Sequence, residues 1–336
     1  MSYHTYNFCT LFDSFYIFKG LALYKSLENV CDDFILYIMA FDEKCYNRLQ
    51  ELQLKKAIIC KLEDFETHEL LEVKKTRTRA EYCWTCGPSV IDFFIDNYNL
   101  NSCTYLDSDL MFIKSPKIIF DEFESNTSVA ITEHFNNDTL AGKYCVQFMY
   151  FKNNNDGKKA LKWWKEKCIE WCYSKFENGK YGDQKYLDDF PILFQNVHII
   201  KNRGAGIAPW NMNLYKYQQK NNNLFYNKEN YECVFFHFHG IKIERYTNTL
   251  TLKAITYDIP NTVKEIFFLP YLKLISNIYF DYFNIEIQNY KIENRKKSER
   301  IYSYIKKKYR NNKIFQFLYY KILKIRYNGY ESQKEI

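Results

Sequence analysis

Two aspartates one residue apart, Asp107 and Asp109, stand where the apolar run Thr104-Tyr-Leu106 gives out. Two carboxylates so close repel each other unless a cation joins them, and a hard divalent ion is the usual solution. In open α/β sheets ligands bind at the carboxyl ends of strands, so the position suits a site. A lone Asp-x-Asp is equally at home in a surface loop, and the pair needs partners before it means anything. Phe235-Phe-His-Phe-His-Gly240 supplies them. A strand period of two puts His237 and His239 on one face and Phe236 and Phe238 on the other. One imidazole beside two carboxylates suits Mn2+ or a similar ion such as Mg2+, the alternative being two hydrogen-bonded core histidines.

These residues need a sheet to hold them, and the pattern along the chain provides one. Residues 6–11 read as a first strand, and helical spacing of Leu21, Tyr24, Lys25 and Leu27 predicts a helix to about Ser26. The short apolar run at 34–39, bounded by charges, has the look of a buried parallel strand. A charged helix over 44–54 and a strand over 57–62 follow. Pro88 marks the start of a helix over 89–98, and strands are expected at 104–106, 129–132, 145–151 and 234–239. Residues 160–176, with Trp163, Trp164 and Trp171, read as a long helix. Alternation of strand and helix predicts an α/β fold, a mixed sheet flanked by helices, over residues 1–255. Beyond that boundary, 256–336 reads as a helical, basic extension.

The order of these segments resembles the GT-A fold glycosyltransferases, and within them family 8, which includes bacterial galactosyltransferases of lipopolysaccharide synthesis. The resemblance covers roughly residues 5–245. Phe12-Asp-Ser-Phe-Tyr16 is similar to the family's base-holding loop, implying that Asp13 accepts from a uracil and Tyr16 stacks on it. Tyr105-Leu-Asp-Ser-Asp109 resembles the metal motif. Tyr144-Cys-Val-Gln-Phe148 sits where the family has an amide facing the transferred sugar, with Gln147 in place of the usual asparagine. Gly182-Asp-Gln-Lys-Tyr-Leu187 resembles the Asp-Gln segment beside the anomeric carbon, giving Asp183 and Gln184 as catalytic candidates. His237-Phe-His-Gly-Ile-Lys242 is similar to the closing His-x-x-Gly motif, with Gly240 at its turn. Here Lys242 lies two residues after the glycine instead of three, and the following Pro-Trp is missing. No arginine before the metal motif matches cleanly, leaving Arg79 or Arg77 for that place.

What the resemblance implies is a metal-dependent glycosyltransferase using a UDP-sugar. Asp107, Asp109 and His237 would hold Mn2+ (or Mg2+) at the diphosphate, and the cation would act as a Lewis acid on the leaving group. Lys242 and the glycine-rich Arg203-Gly-Ala-Gly206 turn are further phosphate candidates. Trp210, Asn211 and His239 are candidates for the sugar or acceptor pocket. An amide such as Gln184 cannot be a general base, which favours retention, although Asp183 is a carboxylate that could serve inversion. The alternative is a non-catalytic GT-A protein that binds a nucleotide or glycan. Against it, both aspartates, the histidine and the Asp-Gln pair are all present.

Charge is unevenly spread over the 336 residues. Against a total of +7, residues 291–326 hold 13 Lys or Arg and two acidic residues, a local +11. Lys and Arg interleaved with Ile, Tyr and Phe suit the interface of an anionic leaflet, as a lipid-linked acceptor would require. A slightly acidic body without a recognisable reading module argues against nucleic acid. The aromatic share of 19%, with abundant Lys, Asn and Ile, reads as coding bias more than as function. Neither a basic start nor an apolar stretch of signal-peptide type opens the sequence. The eleven cysteines then read as reduced thiols of a cytoplasmic protein, peripheral on the inner membrane's cytoplasmic face. Cys83-Trp-Thr-Cys86 invites a redox or zinc reading, but it lacks a second pair and a thioredoxin-sized context.

Overall fold

The structure is a computed structural model and describes residues 5–136, 140–218, 223–226 and 228–294. Most of the basic 291–326 segment therefore lies outside the described residues. The chain opens with β1 (Tyr6–Phe12), α1 (Ile17–Val30), β2 (Phe34–Ala40), α2 (Glu43–Glu51), β3 (Ala57–Lys61) and α3 (Arg79–Asn97). Next come β4 (Ser102–Leu106), β5 (Leu110–Phe112), β6 (Val129–Glu133), β7 (Tyr144–Lys152), α4 (Asn155–Glu170), β8 (Val197–Ile199) and β9 (Ala205–Ile207). A meander of β10 (Lys216–Gln218), β11 (Asn223–Tyr226) and β12 (Glu229–Glu232) leads to β13 (Phe235–His237). The hairpin β14 (Ile241–Tyr246) and β15 (Thr249–Ala254), then α5 (Leu269–Phe283) and β16 (Asn289–Glu293), follow.

Seven strands form the central sheet in the order β3-β2-β1-β4-β7-β6-β8. The β3-β2-β1-β4 half is parallel, whereas β7 runs antiparallel to both β4 and β6. Successive side chains of β2 feed two separate cores: Leu36, Ile38 and Ala40 one, Tyr37 and Met39 the other. Burial on both faces is why the run reads as continuously apolar. The first core is closed by α1 and α5, the second by α3 and α4.

Three expectations are corrected. Pro88 lies inside α3, not at its start: the helix begins at Arg79 behind a Thr78–Glu81 capping box, two reciprocal bonds that outweigh proline's positional preference. The helix expected over 160–176 spans Asn155–Glu170, opened by the Asn154 side chain accepting from Gly157 N–H at 2.9 Å. The region past 255 is not helical throughout, since β16 adds in parallel to β15 of the β14–β15 hairpin.

Residues past 255 share a core with the N-terminal half. Phe18 of α1 stacks on Tyr279 of α5 with centroids 4.1 Å apart, and Phe238 stacks on Tyr271 at 3.7 Å. Phe236, on the same face, stacks on Phe267 at 4.6 Å. Phe238 is therefore the bolt between the histidine strand and α5. Phe238→Ala is expected to cost about 3–5 kcal/mol of stability, read from the urea midpoint. A loss below about 1 kcal/mol would contradict this packing role.

Candidate active site

A small second sheet, β5-β13-β9, builds the centre of the site. β13 pairs antiparallel with β5 so that His237 faces Leu110, the residue after Asp109. Backbone bonds clamp the aspartate turn from both sides. Asp107 N–H donates to Gln147 C=O at 3.1 Å, and Phe238 N–H donates to Asp109 C=O at 2.9 Å. The next turn requires Gly240, whose φ is +68° and whose missing Cβ would lie 3.1 Å from Thr256 Oγ1.

The side chains converge accordingly. His237 Nε2 is 3.0 Å from Asp109 Oδ1 and 3.7 Å from Asp107 Oδ2. Its other nitrogen, Nδ1, lies 2.9 Å from Gln147 Oε1. An amide oxygen only accepts, so Nδ1 carries a proton and Nε2 is the nitrogen aimed at the carboxylates. Gln147 Nε2 in turn donates to Thr132 Oγ1 at 3.3 Å. Gln147 was expected to face the transferred sugar. It is fully buried, and each end of its amide has a partner inside the protein.

Burial sets the electrostatics. The carboxyl of Asp107 is pushed up to about 6 by burial and by Asp109, with His237 and Tyr105 pulling it back. Burial would raise Asp109 too, but Lys19 and His237 outweigh it and hold that carboxyl far below the usual range. Burial disfavours the His237 imidazolium, yet Asp109 and Asp107 raise it overall. Asp183, 7% exposed, is pushed up to about 7 by burial and by the charge of Asp107. The site therefore gathers three buried carboxyl groups, of which Asp109 is offset by Lys19 and His237 while Asp107 and Asp183 hold their protons more tightly.

Among the described residues, no three His, Cys, Asp or Glu side chains close around a point as a metal site would require. The donor chemistry nevertheless fits a hard divalent cation: two carboxylates and an imidazole whose remote nitrogen is held by Gln147 Oε1. Asp109 Oδ2 is taken by Lys19 Nζ at 3.3 Å.

Other expected residues sort into two groups. At the rim, Tyr16 is 44% exposed, and its hydroxyl is pushed up by burial first and then by the charges of Asp109 and Asp13. Asp13 accepts from the Phe15 and Tyr16 amides at 2.9 and 3.1 Å and pairs with Arg79 Nε at 2.6 Å. Trp210 stands edge-on to His237 and His239, with centroids 5.2 and 5.4 Å away. Gln184 lies close enough to His134 to oppose the lowering of that imidazole by burial.

Four expected residues are engaged elsewhere. Lys242, expected at a diphosphate, pairs with Glu244 on β14 at 2.8 Å. Asn211, expected in the sugar pocket, is 1% exposed and braces its own loop, bonding Ala208 N–H and the His134 and Gly206 carbonyls. Arg77 lies over the Tyr173 ring, 3.8 Å from its centroid, and donates to Ile169 C=O. Gly204 of the expected phosphate turn is glycine because a Cβ would meet Glu232 O at 1.7 Å. The Cys83 and Cys86 thiols are pushed up by burial and stay protonated, and all eleven cysteines are free. No described helix is long and apolar enough to cross a membrane.

Sequence reasoning missed three participants. Lys19 is the buried one of the three charged residues of α1, and its apolar neighbours Ile17, Phe18 and Leu21 are the signal that could have marked it. Asp42, at the end of β2, receives Arg79 at 2.8 Å and Ser14 N–H at 3.0 Å, so it locks the base-loop candidate. Tyr271 brings a buried hydroxyl without a hydrogen-bond partner into the electrostatic reach of Asp109 and Tyr16.

No protein-family model matches the chain. The uncharacterized Bacillus subtilis (strain 168) protein YfnD is 31% identical over 248 residues, 71% of this chain and 79% of YfnD. YfnF of the same organism is 32% identical over 252 residues, 71% of this chain and 82% of YfnF. The chain belongs to the family of these two proteins. Among solved structures, the galactosyltransferase LgtC in complex with donor and acceptor sugar analogs matches with a TM-score of 0.51 at 10% identity. The match covers 81% of this chain and 95% of LgtC. The fold is GT-A.

In this GT-A chain the raised Asp183 carboxyl has a measurable consequence. Its folded value of about 7 exceeds the unfolded one of about 3.9. The folded state thus holds the proton longer, and stability falls as pH rises between those values. Asp183→Asn removes that loss. The variant's melting temperature should gain on the parent's by a few degrees from pH 4 to pH 7 and then run level. A gap independent of pH would contradict the assignment.

Proposed function

We propose that this protein is a glycosyltransferase that takes a sugar from a nucleotide-sugar, a UDP-sugar by the base-loop resemblance, in a site organised by Asp107, Asp109 and His237. The observation that carries the proposal is the approach of His237 Nε2 to both carboxylates while Gln147 fixes the opposite nitrogen. A metal-binding imidazole is oriented in this way, its remote N–H donating to a fixed acceptor. Mn2+ or Mg2+, when bound, supplies charge neutralisation on the departing diphosphate.

The chain's own residues do the rest. Tyr16 offers an exposed ring beside Asp13 for a base, and Arg79 holds Asp13 in place. Trp210 presents an aromatic edge next to His237 and His239 for a sugar. Asp183, with its carboxyl near neutrality, can both donate to and accept from a sugar hydroxyl. Gln184 beside it offers an amide and no base, which supports retention of anomeric configuration. The acceptor in this reading is a glycan or lipid-linked intermediate of surface polysaccharide or lipopolysaccharide assembly. The basic 291–326 segment would draw the protein to an anionic, cytoplasm-facing membrane surface.

Calorimetric titration with UDP tests the donor site. Binding is expected with Mn2+ and is expected to vanish with EDTA or in Asp109→Asn, together with transfer. Metal-dependent UDP binding that survives in Asp109→Asn would overturn the assignment.

A further inference from the structure

Lys19 is the unexpected cation of the site. It is 7% exposed, its Nζ lies 3.3 Å from Asp109 Oδ2, and the same nitrogen sits 4.3 Å from the centroid of the Tyr16 ring. The ammonium thus bridges the aromatic rim and the carboxylate at the centre. Asp109 has two oxygens, and both already face positive or proton-bearing nitrogen: Oδ1 meets His237 and Oδ2 meets Lys19. A divalent ion that reaches Asp109 therefore meets an engaged carboxylate and a like charge within a few ångström. Arg79, the cation at the base-loop candidate, is paired with Asp13 and Asp42.

We propose that Lys19 is a positioning residue that acts as a built-in counter-ion, competing with the divalent cation for Asp109 and making metal binding depend on the arrival of a nucleotide diphosphate. The inference rests on the metal-site reading above. A buried carboxylate needs a cation, and Lys19 supplies one permanently, so the gain from adding a metal alone is small. A diphosphate brings negative charge of its own. It offers the ammonium a second partner and adds oxygen ligands for the metal, so the two cations cease to compete. Coupling of this kind is reciprocal: metal must tighten nucleotide by the same factor that nucleotide tightens metal. Tyr16, one contact of Lys19, is also the ring proposed to meet the base, so nucleotide reaches the ammonium from both ends.

The test is titration of free Mn2+ by electron paramagnetic resonance against the full-length protein, with and without UDP. The parent should bind Mn2+ weakly alone and much more tightly with UDP. Lys19→Met should bind Mn2+ alone roughly tenfold or more tightly than the parent, since a like charge near the ion is gone. The stimulation by UDP should shrink by a similar factor. Lys19→Arg keeps the charge and should retain most of the parent's coupling. Unchanged or weaker Mn2+ binding in Lys19→Met overturns the proposal while leaving the metal site intact, as does an equal effect of both substitutions. If no protein binds Mn2+ even with UDP present, the metal-site reading itself fails and takes this inference with it.

Discussion

The site depends on how the fold manages the charge of one buried carboxylate. Asp109 is 8% exposed, and the desolvation of an ion so placed must be met by close cations or it will protonate. Lys19 comes from the first helix, and His237 comes from β13 in the middle of the small second sheet. Sequence separations of 90 and 128 residues are thus closed on one side chain. That need explains why α1, β5 and β13 must meet where they do. Neighbouring Asp107 and Asp183 receive no comparable compensation, and their raised carboxyls record it. Buried carboxyl groups left without compensation suit an added cation.

Packing makes this arrangement rigid. On one side of β13 the imidazoles meet Trp210, and on the other Phe236 and Phe238 stack against Phe267 and Tyr271. The described part of the C-terminal region is thereby bonded to the strand that carries His237. Gln147, on the central β7, contributes its backbone carbonyl to the Asp107 turn and its side chain to His237. One residue thus ties the orientation of the imidazole to the position of the aspartates. Such support is what holds a ligand set within the tolerance a reaction needs.

The parts legible in the sequence are those governed by local rules. The apolar run of β2, the alternation about His237 and the strand leading to Asp107 each follow from period and burial, and each is found. Pro88 misled because capping at Thr78 and Glu81 competes with it, ten residues upstream. The hairpin of β14 and β15 was passed over although Ile241, Ile243, Leu250 and Leu252 alternate as strands do. Lys242 is a different case. The resemblance put it at a phosphate against the motif's spacing, and in the structure it lies on β14 paired with Glu244. Lys19 was invisible for the opposite reason, since its partner is 90 positions away and no spacing rule reaches so far.

The central claim is that Asp107, Asp109 and His237 share one divalent cation, with His237 binding through Nε2. Anomalous diffraction at the manganese edge, from crystals grown with Mn2+ and UDP, tests it most directly. The account predicts a single strong peak at ligand distance from both carboxylates and from His237 Nε2, with Gln147 still on Nδ1. A manganese peak elsewhere, or one bound by the aspartates with His237 turned away, would contradict it.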